Sequence, residues 1–200
     1  MKRLLTISLA VLLGACSSIY IKPVDQASIN IIIEGQDRIR FSGKGAGAGM
    51  MMSASMGSMG IAIGVAIDEG IGKEIHESFI ASGGNFTEIV NSETRVWLSK
   101  VCQENREGLN GLCSSDIALN VRVYRYGFVT TRGKNDPIRA ELDIGFVVGN
   151  QNETRLKLAD LDDAATAPLD KAKEEGEIVK RLLIKGYQTL LEAFGSKLSI

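Results

Sequence analysis

Four side chains in this sequence are equipped for chemistry beyond packing and ion pairing: the single histidine, His76, and the cysteines Cys16, Cys102 and Cys113. Nucleophilic catalysis needs a serine or cysteine beside a base, and hydrolysis by paired carboxylates needs two acids facing one cleft. His76 lies in KEIHESF, a stretch with helical spacing, and no serine or cysteine partner for it is evident. It reads as a surface or hydrogen-bonded helix residue. A structural zinc site takes three or four Cys, His or acidic ligands at short spacings, and no such set surrounds His76. Asp160, Asp162 and Asp163 read as a charged turn rather than a calcium loop. Two glycine-rich stretches, GKGAGAG at 43–49 and GIGKE at 70–74, lack the GxxxxGK[ST] spacing of a phosphate loop. The first follows a strand, but its G-x-G-x-G pattern and the absence of a following βαβ unit argue against dinucleotide binding. No catalytic, cofactor-binding or metal-ligating residue is assigned, and an enzyme is not expected.

Cys16 is the most specific of the four. The chain opens MKRLLTISLAVLLGACSS, with Lys2 and Arg3 ahead of a short apolar run from Leu4 to Leu13. That is the order of a signal peptide, too short for a permanent bilayer span. Leu13-Gly14-Ala15-Cys16 resembles the lipobox of bacterial lipoproteins: an apolar residue, two small ones, then cysteine. The resemblance implies a diacylated Cys16 sulfur, cleavage before Cys16 and acylation of the new N-terminus. Ser17, where an aspartate would imply inner-membrane retention, points to the outer membrane with most of the chain facing the periplasm. Each buried methylene contributes about 0.8 kcal/mol, so several acyl chains make a firm anchor. Residues 16–27 then read as a tether, and 28–198 as one folded domain.

Without residues 1–15 the chain has 185 residues, 21 basic and 24 acidic, a formal charge of −3. That length suffices for one domain with a real core. No basic tract stands out, and the charge argues against nucleic acid as a partner. In an exported chain Cys102 and Cys113, with ten residues between them, form a disulfide candidate. A loop of that length would contribute about 2–3 kcal/mol.

The stretch from 43 to 70 is the anomaly. Gly45 to Ile67 holds 23 residues without a charge and five of the six methionines. Gly45, Gly49, Ser53 and Gly57 fall four apart; Gly60 and Gly64 continue after a one-residue slip. Four-residue spacing of small residues makes a flat stripe along which helices approach closely. Three arrangements compete. The stretch is a linker, or one helix or two broken near Gly57–Gly60 packed on the domain, or a membrane-inserting or multimerising segment resembling the glycine zippers of some surface lipoproteins. As one helix it would reach about 34 Å, enough to cross a hydrocarbon core. Glycine costs about 1 kcal/mol per residue in a water-exposed helix, so a partner surface is required. The close-packed, membrane-proximal helical hairpin or self-association element is favoured.

The remaining elements follow from periodicity. SINIIIEG and RIRFSG alternate around the turn-like EGQD and predict a β-hairpin. Ile71, Ile75, Phe79 and Ile80 predict a helix ending at Gly83-Gly84. NFTEIV fits a short strand, or else Asn85 and Glu88 form a capping box. SETRVWLSKVCQEN predicts a helix from about Ser92 that buries Val96, Trp97 and Val101. DIALNVRVYRYGF, IRAELDIGFVVG and TRLKL alternate as a three-stranded antiparallel meander with one buried face. A terminal amphipathic helix buries Ile178, Val179, Leu182, Leu183, Leu190, Leu191 and Phe194, with Glu177 and Arg181 as an outer pair. The predicted class is α+β: an antiparallel sheet of hairpin plus meander, packed by helices, with a glycine-rich helical hairpin insert.

The order helix, ASGGNFTEIV, helix, SSDIALNVRVYRYG, strand pair, amphipathic helix resembles small periplasmic α/β domains of outer-membrane lipoproteins. Among these are activators of penicillin-binding proteins, the curli secretion lipoprotein and auxiliary lipoproteins of ABC-type lipid transporters. The pattern covers roughly 68–198. GNQNETRLKL departs from it, and the glycine insert is foreign to most members. The resemblance implies a lipid-anchored module that docks an envelope complex. The alternative is a self-assembling, membrane-inserting component of a secretion or surface-exclusion apparatus, with 45–67 embedded and a homo-oligomer as its form.

Overall fold

The structure is a computed structural model that describes residues 28–34, 38–104, 110–113, 118–130, 137–161 and 165–198. Cys16, the signal segment, the tether, Asp162 and Asp163 lie outside the described residues. The chain is α+β. Among the described residues the strands are β1 (Ile29–Ile33), β2 (Arg40–Ser42), β3 (Leu119–Thr130), β4 (Pro137–Val148), β5 (Thr154–Lys157) and β6 (Thr166–Pro168). Its helices are α1 (Lys44–Met56), α2 (Ser58–Ala81), α3 (Phe86–Gln103), α4 (Leu169–Glu174) and α5 (Gly176–Leu198).

β3, β4 and β5 form the expected meander, antiparallel throughout. Ile138, Ala140, Leu142, Ile144, Phe146 and Val148 all point into the core, as their alternation predicts. β3 changes phase. A bulge between Val123 and Arg125 makes Tyr124 the extra residue, so Leu119, Val121 and Val123 point inward before it and Tyr126 and Phe128 after it.

The β-hairpin at 29–42 is not present. β1 and β2 both run parallel to β3, end to end along one edge: Ile29–Ile33 on Leu119–Val123, Arg40–Ser42 on Gly127–Val129. β2 therefore runs in the same direction as β1 instead of folding back on it. A period of two is the same in either direction, so the alternation could not tell the two apart. The break between β1 and β2 falls opposite the bulge in β3.

Helices cover one face of the sheet. α5 lays Leu183, Tyr187, Leu190, Leu191 and Phe194 into the core, with Phe194 stacked on Phe146 at 4.5 Å between ring centres. Gly186 brings it close to Ala140 and Leu142. Glu177 pairs with Lys180 at 3.8 Å rather than with Arg181. α3 begins at Phe86, not near Ser92. The Asn85 side chain accepts the Glu88 N–H at 3.3 Å, so the capping alternative is the structure and the short strand is not. Its buried stripe runs through Val90, Thr94, Trp97, Leu98 and Val101; Val96 is 64% exposed, a correction to its predicted burial. Ile80 is likewise exposed, one step off the Ile71, Ile75, Phe79 face.

Thr94, fully buried, has a defined role. Its hydroxyl donates to the Val90 carbonyl at 2.6 Å, which leaves its oxygen to accept from the Tyr187 hydroxyl at 2.7 Å. Burial pushes the Tyr187 phenol well above the ordinary tyrosine value. Cys102 and Cys113 are joined by a disulfide with Cα atoms 5.6 Å apart, which ties the end of α3 to the short 3-10 turn at 110–113.

Candidate functional site: the glycine-packed hairpin

α1 and α2 take up the glycine stretch as an antiparallel helical pair. Gly57 is the turn between them, with φ at +58°, a conformation that costs a glycine little. Gly57 thus leaves the packing stripe and forms the turn between the two helices. The uncharged run is divided between two arms rather than laid out as one long rod.

The interface between the arms is almost entirely backbone. Gly45 and Gly64 face each other so closely that a Cβ on either would collide with the carbonyl of the other. A Cβ on Gly49 would stand 3.2 Å from the Gly60 carbonyl oxygen and 3.3 Å from the Gly64 Cα. Gly60 sits against the backbone of Met52 and Ser53. Gly45, Gly49, Ser53, Gly60 and Gly64 are therefore brought together, with Gly57 at the bend. Farther along, Gly72 lets α2 lie on β2, where a Cβ would stand 3.2 Å from both the Ile39 oxygen and the Phe41 nitrogen. Close approach replaces the side-chain burial that the uncharged arms of these helices lack, and it offsets glycine's poor helix propensity.

Two polar contacts fix the pair at its base. Asp68, on α2, accepts the Gly43 N–H at 3.0 Å and the Gly45 N–H at 2.6 Å. These are unpaired donors at the start of α1, where the helix dipole also favours a carboxylate. Asp68 was not singled out from the sequence. Its signal was available: it is the first charge after the uncharged run. His76 lies lower on α2, where its Nδ1 accepts the Ile39 N–H at 3.4 Å. That bond joins α2 to the strand edge and uses the one histidine as a structural acceptor.

With glycine turned inward, the large side chains point out. Met50 and Met51 are 76% and 78% exposed, and Met56, Met59, Ile61 and Val65 are each about half exposed or more. Lys44 precedes this surface, and Asp68 and Glu69 follow it. Among the described residues it is the largest group of exposed apolar side chains. Contiguous apolar patches beyond a few hundred Å² mark interaction or membrane sites.

The open face of the sheet is polar by contrast. Arg155 holds Asp143 through two contacts of 2.7 Å and lies over the Tyr124 ring at 3.9 Å. The Arg155 hydrogen bond is the main reason that the Asp143 carboxyl titrates below its ordinary value. The Tyr124 hydroxyl donates to Glu153 at 2.9 Å; Arg122 reaches Glu34 at 3.2 Å, and Arg125 reaches Glu141 at 3.0 Å. Opposite charges answer one another across this face and form an ordered, self-satisfied lattice. Among the described residues no group of three or more His, Cys, Asp or Glu is placed to hold a metal ion, and no helix is long and apolar enough to cross a membrane.

The α+β fold and the exposed hairpin therefore stand as the defining features of the chain. No family model, curated protein or solved structure matches it.

Proposed function

We propose that this chain is a lipid-anchored lipoprotein of the bacterial outer membrane, a periplasmic structural and interaction module that docks an envelope complex through its α1–α2 hairpin. The observation that carries the reading is the inversion of the hairpin, which packs backbone on backbone inside and presents methionine, isoleucine and valine to the outside. A surface of that kind is costly in water and gains by being covered. The signal-like opening and the Leu13-Gly14-Ala15-Cys16 motif support the anchor. The Cys102–Cys113 bond fits an oxidising compartment. The alternative, a self-assembling, membrane-inserting component of a secretion or surface-exclusion apparatus, uses the same hairpin as its embedded part.

The experiment has two arms. Mass spectrometry of the mature N-terminus reads the anchor: acylated Cys16 is expected, and a free, unmodified Cys16 rejects it. Native-gel migration of the detergent-extracted intact chain and of a Met51→Glu/Ile61→Glu variant reads the docking. A complex larger than the monomer is expected for the intact chain, lost in the variant. The same complex in both removes the hairpin as the docking element.

A further inference from the structure

The hairpin has the dimensions and charge pattern of an element buried in one leaflet of a bilayer. Its uncharged arms are Gly45–Met56 in α1 and Ser58–Ile67 in α2. At 1.5 Å per residue they extend about 18 Å and 15 Å. The hydrocarbon core is about 30 Å thick, so one leaflet is about 15 Å deep. Neither arm can span the core, and both reach its middle.

Charge marks the same depth on both arms. α1 begins at Lys44, and the uncharged part of α2 ends at Asp68, whose carboxylate accepts the Gly45 N–H. The charged level of one arm is thereby fastened to that of the other, with Arg40 and Glu69 exposed close by in sequence. Above that collar every position is apolar, small or hydroxylated. Ser53 and Ser55 return their hydroxyls to the carbonyls of Met50 and Met52, at 2.8 and 3.1 Å, so these polar groups are satisfied within the helix. The exposed apolar residues lie on both arms, Met50 and Met51 on α1, Met59, Ile61 and Val65 on α2. A single docked protein covers one side of such a pair, whereas lipid covers all sides. An uncharged element with large apolar side chains exposed on both arms gains by a nonpolar surrounding.

We infer that the α1–α2 hairpin inserts into a single leaflet of a phospholipid bilayer, tip at mid-membrane, with Lys44, Asp68 and Glu69 at the headgroup level. This rests on the reading of the hairpin's outer surface as covered in the envelope, and names lipid rather than a docked protein as the cover. The hairpin then forms a second membrane contact, independent of any chain on Cys16. α2 continues from it into the body as one helix, so insertion fixes the tilt of the whole domain against the bilayer.

The test uses the full chain carrying Cys16→Ser, with vesicles of phosphatidylethanolamine and phosphatidylglycerol. Tryptophan is introduced at the tip by Met59→Trp or near the base by Ala46→Trp, against the constant background of buried Trp97. Lipids brominated near the end of the acyl chain, or near the glycerol, report depth by quenching. The tip probe is expected to be quenched more by the deep bromines and the base probe more by the shallow ones. Adding Met51→Glu and Ile61→Glu is expected to lower the vesicle-bound fraction by about a hundredfold, with unchanged circular dichroism. All variants share residues 1–15, so the difference reports the hairpin. A folded chain whose tip probe is quenched by neither lipid overturns the inference. So does a lipid-free oligomer that the two glutamates dissolve while the tip probe stays unquenched, since a second copy is then the cover. In either case the native-gel complex still decides, separately, whether the hairpin docks a protein.

Discussion

The Asp68 carboxylate, on α2, accepts the backbone N–H of Gly45, at the start of α1, across 2.6 Å. A residue from one arm caps the other, so the capping interaction of α1 and the registry of the hairpin are a single contact. Helix ends normally find their caps locally, one or two residues upstream. Here Gly43 stands in that position and has no side chain to offer.

Replacing Asp68 by alanine removes the acceptor of two N–H groups. The expected cost is about 1–2 kcal/mol, confined to the hairpin, with Asp68→Asn recovering part of it. Amide exchange read residue by residue checks this. Gly43, Gly45 and their neighbours in α1 should lose protection, while Leu142 and Ile144 in β4 keep theirs.

The glycines of the pair are not equivalent, and alanine substitution separates them. Gly45→Ala or Gly64→Ala forces the two backbones apart and is expected to destabilise the hairpin by about 1–3 kcal/mol. At Gly47 nothing lies within 4 Å of an added Cβ. Gly47→Ala should leave packing untouched and raise helix stability by up to about 1 kcal/mol. Thermal melts followed by circular dichroism distinguish the two signs.

Burial holds the Tyr187 phenol protonated to well above the ordinary value of 10.0. The direction of the pH dependence follows. Above about pH 10 the unfolded chain releases the phenolic proton and the folded one retains it, so stability is full below that value and falls as pH rises. Tyr187→Phe removes this component of the alkaline slope. At neutral pH it is expected to cost about 0.5–1.5 kcal/mol, because Thr94 keeps its bond to Val90. Denaturant titrations at neutral and alkaline pH give both numbers.

The Cys102–Cys113 bond closes a short loop, with a sequence separation of 11. Reduction is expected to cost about 2–3 kcal/mol, a drop in melting temperature of roughly 5–10 °C for a chain of this size. Trp97, Leu98 and Val101 still pack α3 on the core, so the reduced chain should remain folded at room temperature. Calorimetry with and without reductant measures the shift; coincident melts contradict it.

Much of this architecture is legible in the sequence because burial leaves a periodic trace. β4 alternates without interruption, and so its inward residues can be read directly. α5 shows the same clarity at helical spacing. The failures have particular causes. Strand direction leaves no mark on a two-residue period, so β1 and β2 looked like a hairpin while running parallel to β3. Val96 and Ile80 are apolar but off their helices' buried stripes, and residue type outweighed phase. The glycine spacing points to close helix packing, but it puts Gly57 in the stripe, whereas Gly57 forms the turn. Asp68 stands out in the sequence only as the first charge after the uncharged run; its partner, 23 residues away, leaves no local periodic mark.

The central claim is that the outer surface of the hairpin is covered where the protein works. Its methionines provide their own probe, since a thioether oxidises according to its exposure. Peroxide footprinting, read by mass spectrometry, compares Met50, Met51 and Met59 in intact envelopes with the purified chain in solution. The account predicts rapid oxidation of all three in solution, where they are exposed, and strong protection in the envelope. Equal oxidation rates in the two settings would show that nothing covers the hairpin and would contradict the account.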